Sequence, residues 1–337
     1  MEPESRYARQ IRFAALGSAG QQQLTAGAVA IVGCGALGSA QADLLARAGV
    51  GRLVLVDRDF VELSNLQRQV LFDERDAAEA MPKAMAAARR LRQINSGVTL
   101  EAHTADLDSG NITELLAGVA LVLDATDNFE TRFLLNDYCV AQSLPWIYGA
   151  AVGSYGITCP FPVGGACLRC LYPEPPSGDT PTCETDGVLN AATSVIAALQ
   201  VAAALQFLSG HAGQVRRVIT TVDVWNGPLR EVAQPVADPA CPCCARRDFE
   251  FLRAERRAPL SLCGRNAVQV HERRHPVNLP ELRARLEPLG PVRCNEFALR
   301  FWHDPFEMTV FPDGRAIVKG TTDTGVARSL YSRFIGN

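Results

Sequence analysis

Glycines, carboxylates and cations fall into a pattern with chemical meaning in the first 130 residues. Gly33-Cys34-Gly35-Ala36-Leu37-Gly38 is a GxGxxG string. Glycines so spaced permit a tight turn between a strand and a helix, and they let backbone N–H groups reach a phosphate at the helix N-terminus. Asp57 stands at the distance expected of a carboxylate that holds a ribose. Alone, this pattern says nucleotide, with NAD as the default. The residues beyond it point to a triphosphate instead. Asp57-Arg58-Asp59 leads into Asn65-Leu66-Gln67-Arg68-Gln69, then Lys83, then Asp124-Ala125-Thr126-Asp127-Asn128. Hydride transfer needs neither two cations nor extra carboxylates. ATP with Mg²⁺ uses both, because carboxylates hold the metal while Arg and Lys neutralise phosphate oxygens, and Asp57, Asp59 and Asp127 can share an edge with Arg68 and Lys83. No GxxxxGK[ST] string is present, which excludes a Walker-type site. His103 and His211 sit in no recognisable catalytic motif.

The cysteines form a second constellation. Cys167-x-x-Cys170 and Cys241-x-x-Cys244 are two CxxC pairs, the spacing of a closed, structural Cys₄ zinc site. Cys243 lies inside the second pair and is a competing ligand for either neighbour. Cys183 stands in the Pro/Gly-rich stretch 173–186, before a helix start that favours a thiolate, with Glu184 and Asp186 opposing activation. Cys34 reads as a small side chain inside the glycine turn. Cys139, Cys159, Cys263 and Cys294 read as packing residues.

These residues need a scaffold. Short apolar runs at 28–32, 53–56, 98–102, 120–123 and 144–148 alternate with helical segments at 36–48, 82–94 and 129–142. Such alternation specifies βαβ units around a parallel sheet, which brings the C-terminal strand ends, and so Asp57, Asp59 and Asp127, to one crevice. Later strands at 154–160, 215–224 and 229–232 are joined by loops or hairpin signals, and extend the sheet with antiparallel strands. The expected fold is α/β, a Rossmann-like doubly wound sheet with that extension, plus a small C-terminal α+β domain. Domain bounds read as 1–245, a charged linker at 246–259, and 260–337. In the last region, strands at 268–271, 292–303 and 306–319 accompany helices at 280–289 and 324–334, with Pro312-Asp313-Gly314 as a turn.

Hydrophobic residues make up 47% of 337, enough for a full core. Eleven cysteines in a cytoplasmic chain suit metal binding or thiol chemistry better than disulfides. The polar start MEPESRYARQ has no apolar signal-peptide core, so a soluble, cytoplasmic protein is expected. The apolar stretch 189–208, interrupted by Asn190, Thr193, Ser194, Gln200 and Gln206, reads as a buried helix rather than a membrane span. Residues 1–245 carry 17 Lys and Arg against 25 Asp and Glu, a balance of −8; residues 246–337 carry 16 against 11, a balance of +5. The basic tail is a solvated arginine surface or a docking face for an acidic partner. Lysine occurs only at 83 and 319, beside 31 arginines.

The string Arg6-Tyr7-Ala8-Arg9-Gln10, the GCGALG turn, Leu63 to Gln69 (LSNLQRQ), Pro82-Lys83 and DATDN together resemble the MoeB/ThiF family, bacterial relatives of ubiquitin-activating enzymes. The resemblance spans residues 5–245, with the motifs in family order. It implies adenylation by ATP of the C-terminal Gly-Gly carboxylate of a ubiquitin-like sulfur-carrier protein, ahead of thiocarboxylate formation for molybdopterin, thiamine, cysteine or tRNA thiolation. It also implies roles: Asp57 for the ribose, Asn65, Arg68 and Lys83 for phosphates, Asp127 for Mg²⁺, with Asp59 and Asn128 lining the site. Arg9 would reach a neighbouring subunit's site, which makes a homodimer the expected state. Cys183 matches a loop cysteine proposed to join covalently to the carrier. A sulfur donor such as a cysteine desulfurase or rhodanese is an expected partner; a membrane or nucleic acid is not. The tail does not resemble a rhodanese domain. An alternative is a dehydratase-type member that activates a small-molecule or tRNA-base carboxylate with the same nucleotide motifs. The CxxC pairs and Cys183 point to the carrier branch. A scaffold member would have lost Arg68, Lys83 or Asp127.

Overall fold

The computed structural model describes residues 3–175, 185–254, 261–262, 267–270 and 276–336. Two compact units form, residues 1–256 and 257–337.

The first unit is built on eight strands. β1 (Ala28–Val32), β2 (Arg52–Val56), β3 (Thr99–His103), β4 (Leu121–Asp124) and β5 (Trp146–Val152) run parallel in the order β3-β2-β1-β4-β5. β6 (Tyr155–Phe161), β7 (Val218–Asp223) and β8 (Arg230–Ala233) then continue the sheet antiparallel. Alternate side chains of each buried strand face opposite layers. Val29, Ile31, Leu53 and Leu55 bury one face against α3 (Ala36–Ala48), α5 (Lys83–Ile94) and α9 (Asn190–Leu208). Ala30, Val32, Val54 and Val122 bury the other against α7 (Phe129–Gln142), through Phe133, Leu135 and Tyr138. Helices α1 (Pro3–Ile11), α2 (Gly17–Ala26), α4 (Glu74–Ala78), α6 (Ile112–Leu115) and α8 (Leu168–Leu171) complete this unit.

By length and composition α9 would pass for a membrane span. It is a core helix here: it packs on α3 and β5, and Gln200 in its middle is fully buried. Gln200 donates to the carbonyl of Asp124 at 2.9 Å and accepts from Gln41 at 2.6 Å. A polar group so placed is satisfied only inside this protein.

Residues 246–254 are not a free linker. Phe251 is buried beside Phe133, ring centroids 5.0 Å apart, and its N–H donates to the Asp137 carboxylate at 3.0 Å. Apolar anchoring outweighs the charged composition that reads as a linker. Residues 255–260 lie outside the described residues.

In the second unit, one antiparallel sheet has the order β11-β12-β13-β14-β10-β9: β9 (Ser261–Leu262), β10 (Ala267–Val270), β11 (Val292–Cys294), β12 (Leu299–His303), β13 (Phe306–Val310) and β14 (Ala316–Lys319). The run 292–303, read as one strand, is a hairpin. The Asn295 side chain accepts from the N–H groups of Phe297 and Ala298, both at 2.9 Å, and this turns the chain. Val268, Leu299, Phe301, Met308 and Val318 form the core with α10 (Leu279–Leu286) and α11 (Thr324–Phe334).

Candidate functional site

The C-terminal ends of β1, β2 and β4 converge as the sequence requires. The sheet's hydrogen bonding continues past the strands: Gly33 donates to Val56 at 2.8 Å, Asp57 to His103 at 3.1 Å and Ala125 to Val32 at 2.9 Å. The loops that carry the candidate residues are thereby fixed to one edge.

The glycine turn is enforced by contact. Gly33 has φ +92, and a Cβ there would sit 2.5 Å from the Ala125 carbonyl oxygen. A Cβ on Gly38 would fall 1.8 Å from the Gly33 carbonyl oxygen. Only glycine lets β1, α3 and the β4 loop approach this closely. The Asp57 carboxylate closes the turn. It accepts from Cys34 N–H at 2.6 Å through one oxygen and from Asp59 N–H at 2.6 Å through the other. Each oxygen keeps a lone pair for a further donor. Burial raises the Asp57 carboxyl, and the Lys83 ammonium pulls it back toward the charged form.

Lys83 opens α5 and is only 6% exposed. Its N–H donates to the Asp59 carbonyl at 2.8 Å, and its ammonium pairs with the Asp59 carboxylate at 3.3 Å. A second cation, Arg58, pairs with Asp106 at 2.9 Å. Asn65 closes the 3₁₀ segment Leu63–Asn65 and Arg68 lies on the turn after it. Arg68 is half-buried and donates to the Ser64 carbonyl at 3.1 Å; Asn65 donates to the Ser64 hydroxyl at 3.2 Å. The neighbouring Gln69 places this turn over the cradle: its amide nitrogen lies 3.9 Å from a Cβ built on Gly35. Gln69 is buried and its Oε1 has no partner.

The β4–α7 loop holds Asp127 at an exposed position. Asn128 serves α7, its side chain accepting from the Thr131 N–H at 2.8 Å as an N-cap. Asp124 and Arg132 form a buried ion pair at 3.2 Å that sequence reading missed. The signal was faint, because an arginine in a helix normally reads as a solvated face.

Arg9 is not brought to this edge within its own chain. α1 docks by Tyr7, which accepts from Asn95 at 2.8 Å, and by Gln10, which donates to the Ala48 carbonyl at 2.8 Å. Ala48 ends α3, and twelve residues of helical rise put it roughly 18 Å from the glycine turn. Cys183 and Cys263 lie outside the described residues. Burial pushes the thiols of Cys34, Cys139 and Cys159 upward, which keeps them protonated and inert. Cys294 is half-buried.

The cysteine knuckle forms elsewhere. The sulfurs of Cys167, Cys170, Cys241 and Cys244 all lie within 4.8 Å of one another. Cys167 is 3.7 Å from Cys241, Cys170 is 3.5 Å from Cys244, and Cys167 is 4.0 Å from Cys170. A tetrahedral zinc–thiolate site with bonds of about 2.3 Å has edges of about 3.8 Å. The donor set therefore fits a structural metal. Cys243 is not in the tetrahedron; its sulfur accepts from Asn136 at 3.1 Å. The knuckle is tied to α7, since the Asn136 side-chain oxygen also accepts from the Leu168 N–H at 2.8 Å. Buried Arg169 ties it to Glu250 at 3.4 Å.

Residues 7–243 match the ThiF family model. The chain is 42% identical over 336 residues to a sulfur carrier protein ThiS adenylyltransferase of Bacillus subtilis, covering 98% of this chain and 99% of the relative. A SAMP-activating enzyme E1 of Haloferax volcanii is 38% identical over 240 residues, 71% of this chain and 88% of that one. The solved structure of Escherichia coli MccB with MccA-N7isoASN superposes with a TM-score of 0.63 at 22% identity, covering 73% and 75% of the two chains, a likeness of fold. With its glycine turn, ordered cations and cysteine knuckle set along that matched span, this chain belongs to the ThiF family.

Proposed function

We propose that this chain adenylates the C-terminal carboxylate of a small ubiquitin-like sulfur-carrier protein, and that its carrier is of the ThiS kind. One observation carries the reading. The similarity to the ThiS adenylyltransferase covers 98% of the chain, so it includes the second unit, whereas the match to the SAMP-activating enzyme covers 71%. The second unit is thus shared with the ThiS-directed relative.

The chemistry suits the edge described. The carrier carboxylate is ionised at neutral pH and attacks the α-phosphorus of ATP; the bond to the bridging oxygen breaks and pyrophosphate leaves. No general base is needed. The protein supplies alignment and charge neutralisation. Backbone N–H groups of the glycine turn would cradle phosphate, and Asp57 would take the ribose. Lys83, Arg68 and Asn65 would contact phosphate oxygens. Asp127, with Asp59 near the Lys83 ammonium, would hold Mg²⁺, whose charge offsets that of the departing pyrophosphate. The knuckle would bind Zn²⁺ as a closed structural site. The exposed Arg9 would serve a second protomer, and Cys183 would meet the activated carrier. The protein would act in the cytoplasm, receiving sulfur from a separate donor.

Exchange of labelled pyrophosphate into ATP tests the reading. Purified protein with Mg²⁺ is given a ThiS-type carrier, a molybdopterin-type carrier, or none. Exchange with the ThiS-type carrier, absent when its terminal glycine is removed, is expected. Exchange without any carrier, or with neither, overturns it.

A further inference from the structure

Asp124 ends β4 and is fully buried; its carbonyl accepts from Gln200 and its carboxylate from the Gly149 N–H of β5 at 3.5 Å, but the shorter carboxylate bonds go to the loop after β4. One carboxylate oxygen accepts both donors of Thr126, the N–H at 2.9 Å and the hydroxyl at 2.7 Å. The other faces Arg132 Nε at 3.2 Å. Arg132 in turn donates from its terminal nitrogen to the Thr126 carbonyl at 2.6 Å. The N–H, hydroxyl and carbonyl of Thr126 are therefore all held by one ion pair. On the other side of Asp127, Asn128 is fixed by capping α7. Asp127 is thus an exposed carboxylate between two immobilised residues.

The guanidinium is itself held. It lies across the Phe129 ring at 5.0 Å and the Tyr148 ring at 5.2 Å. Two rings and a fork of donors fit arginine and no other side chain, since a lysine ammonium cannot lie flat on rings while spanning Asp124 and the Thr126 carbonyl. A purely architectural ion pair needs no such aim, and apolar replacements often stabilise as well.

We propose that Arg132, through Asp124 and Thr126, is the positioning residue that aims Asp127 at the divalent cation accompanying ATP. The role rests on the reading of this edge as a Mg²⁺–ATP site, and it assigns to α7 a part in metal binding that its own exposed face does not reveal. Partners that orient a metal ligand without touching the metal change affinity by about 10- to 100-fold when removed.

The test separates metal binding from nucleotide binding. ATP affinity of the full chain is measured by calorimetry in EDTA and in Mg²⁺, for wild type, Arg132→Lys and Thr126→Val, with the unfolding temperature of each. Arg132→Lys is expected to reduce the tightening caused by Mg²⁺ by about tenfold and to leave the affinity in EDTA within about twofold. Thr126→Val, which removes one of the three loop bonds and nearly preserves shape, is expected to cut the tightening by about threefold. It decides the matter if Arg132→Lys does not fold. Equal losses with and without Mg²⁺, an unchanged tightening, or a wild type indifferent to Mg²⁺ overturns the proposal. A wild type that binds Mg²⁺–ATP but exchanges pyrophosphate with no carrier overturns carrier adenylation instead, leaving the binding comparison intact.

Discussion

The nucleotide edge and the cysteine knuckle lie on the same unit and share α7, yet they are held by opposite means. At the edge, charges are already matched within the protein: Lys83 with Asp59, Arg132 with Asp124, Arg58 with Asp106. Backbone contacts that tolerate only glycine fix the turn between them. The knuckle has four sulfurs all within 4.8 Å of one another, three of the pairs at 3.5–4.0 Å, on two separate segments, 167–170 and 241–244. Thiolates so close repel unless a cation joins them. The edge is therefore preorganised for a ligand, whereas the knuckle has the donor set that a metal ion would complete. Preorganised charge is what transition-state stabilisation asks for. A metal clip is what a loop-rich segment far along the sheet asks for.

The sharpest division between the two is expected from Asp127→Ala. Asp127 is exposed and adds to the field that holds Arg132, so its removal should lower the unfolding temperature only slightly while pyrophosphate exchange falls by roughly 100- to 1000-fold. A large fall in unfolding temperature would show that the loop is structural. Lys83→Ala should cost on the order of 100-fold in exchange and should also destabilise, since Asp59 loses its ammonium partner at 3.3 Å. Exchange within a few-fold of wild type would remove Lys83 from the phosphate contacts. At the knuckle the pattern reverses. Cys170→Ser, or chelation, should remove the bound zinc and lower stability by several kcal/mol, while protein still folded in the cold keeps its affinity for ATP in EDTA. Loss of ATP affinity ahead of unfolding would break the comparison, by making the knuckle part of the nucleotide site.

The two regions also differed in how far the sequence exposed them. The bounds of β1, α3, α7 and α11 coincide with those read from apolar runs and glycine stops; Gly49, with φ +83, ends α3 as expected of a left-handed cap. The glycine turn and the CxxC spacing are local patterns, set by covalent neighbours, so they survive in one dimension. Arg132 is legible only once β4 and α7 are packed, because its burial depends on Asp124 eight residues away and on the ring of Tyr148. The same holds for Cys243. Spacing alone left it in competition with Cys241 and Cys244; in the fold its sulfur accepts from Asn136, 107 residues distant in sequence, and lies against Asp137 on the same helix. Phe251 was hidden by charged neighbours, and the Asn295 turn by the apolar residues on both sides.

The smallest effect expected lies where α7 joins the two regions. Asp137 is fully buried, its Oδ2 accepting from Phe251 N–H at 3.0 Å while its Oδ1 has no hydrogen-bond partner. Burial raises its carboxyl to about 6. A carboxyl raised in the folded state is penalised once ionised, so the folded chain holds a proton that the unfolded chain has released between about pH 4 and 6. Stability from this group is present at the acid side and is lost as pH rises through that window. Asp137→Asn keeps an acceptor for Phe251 and removes the charge. The variant should gain on wild type steadily as pH rises from about 4 to 7, by at most about 3 kcal/mol, as read by denaturant unfolding of zinc-loaded protein at matched ionic strength. A gap that stays constant with pH would mean that Asp137 is as well solvated when ionised as an ordinary surface carboxylate. In that case the α7–knuckle junction would be as thoroughly matched in charge as the nucleotide edge, and the contrast between the two regions would reduce to the metal alone.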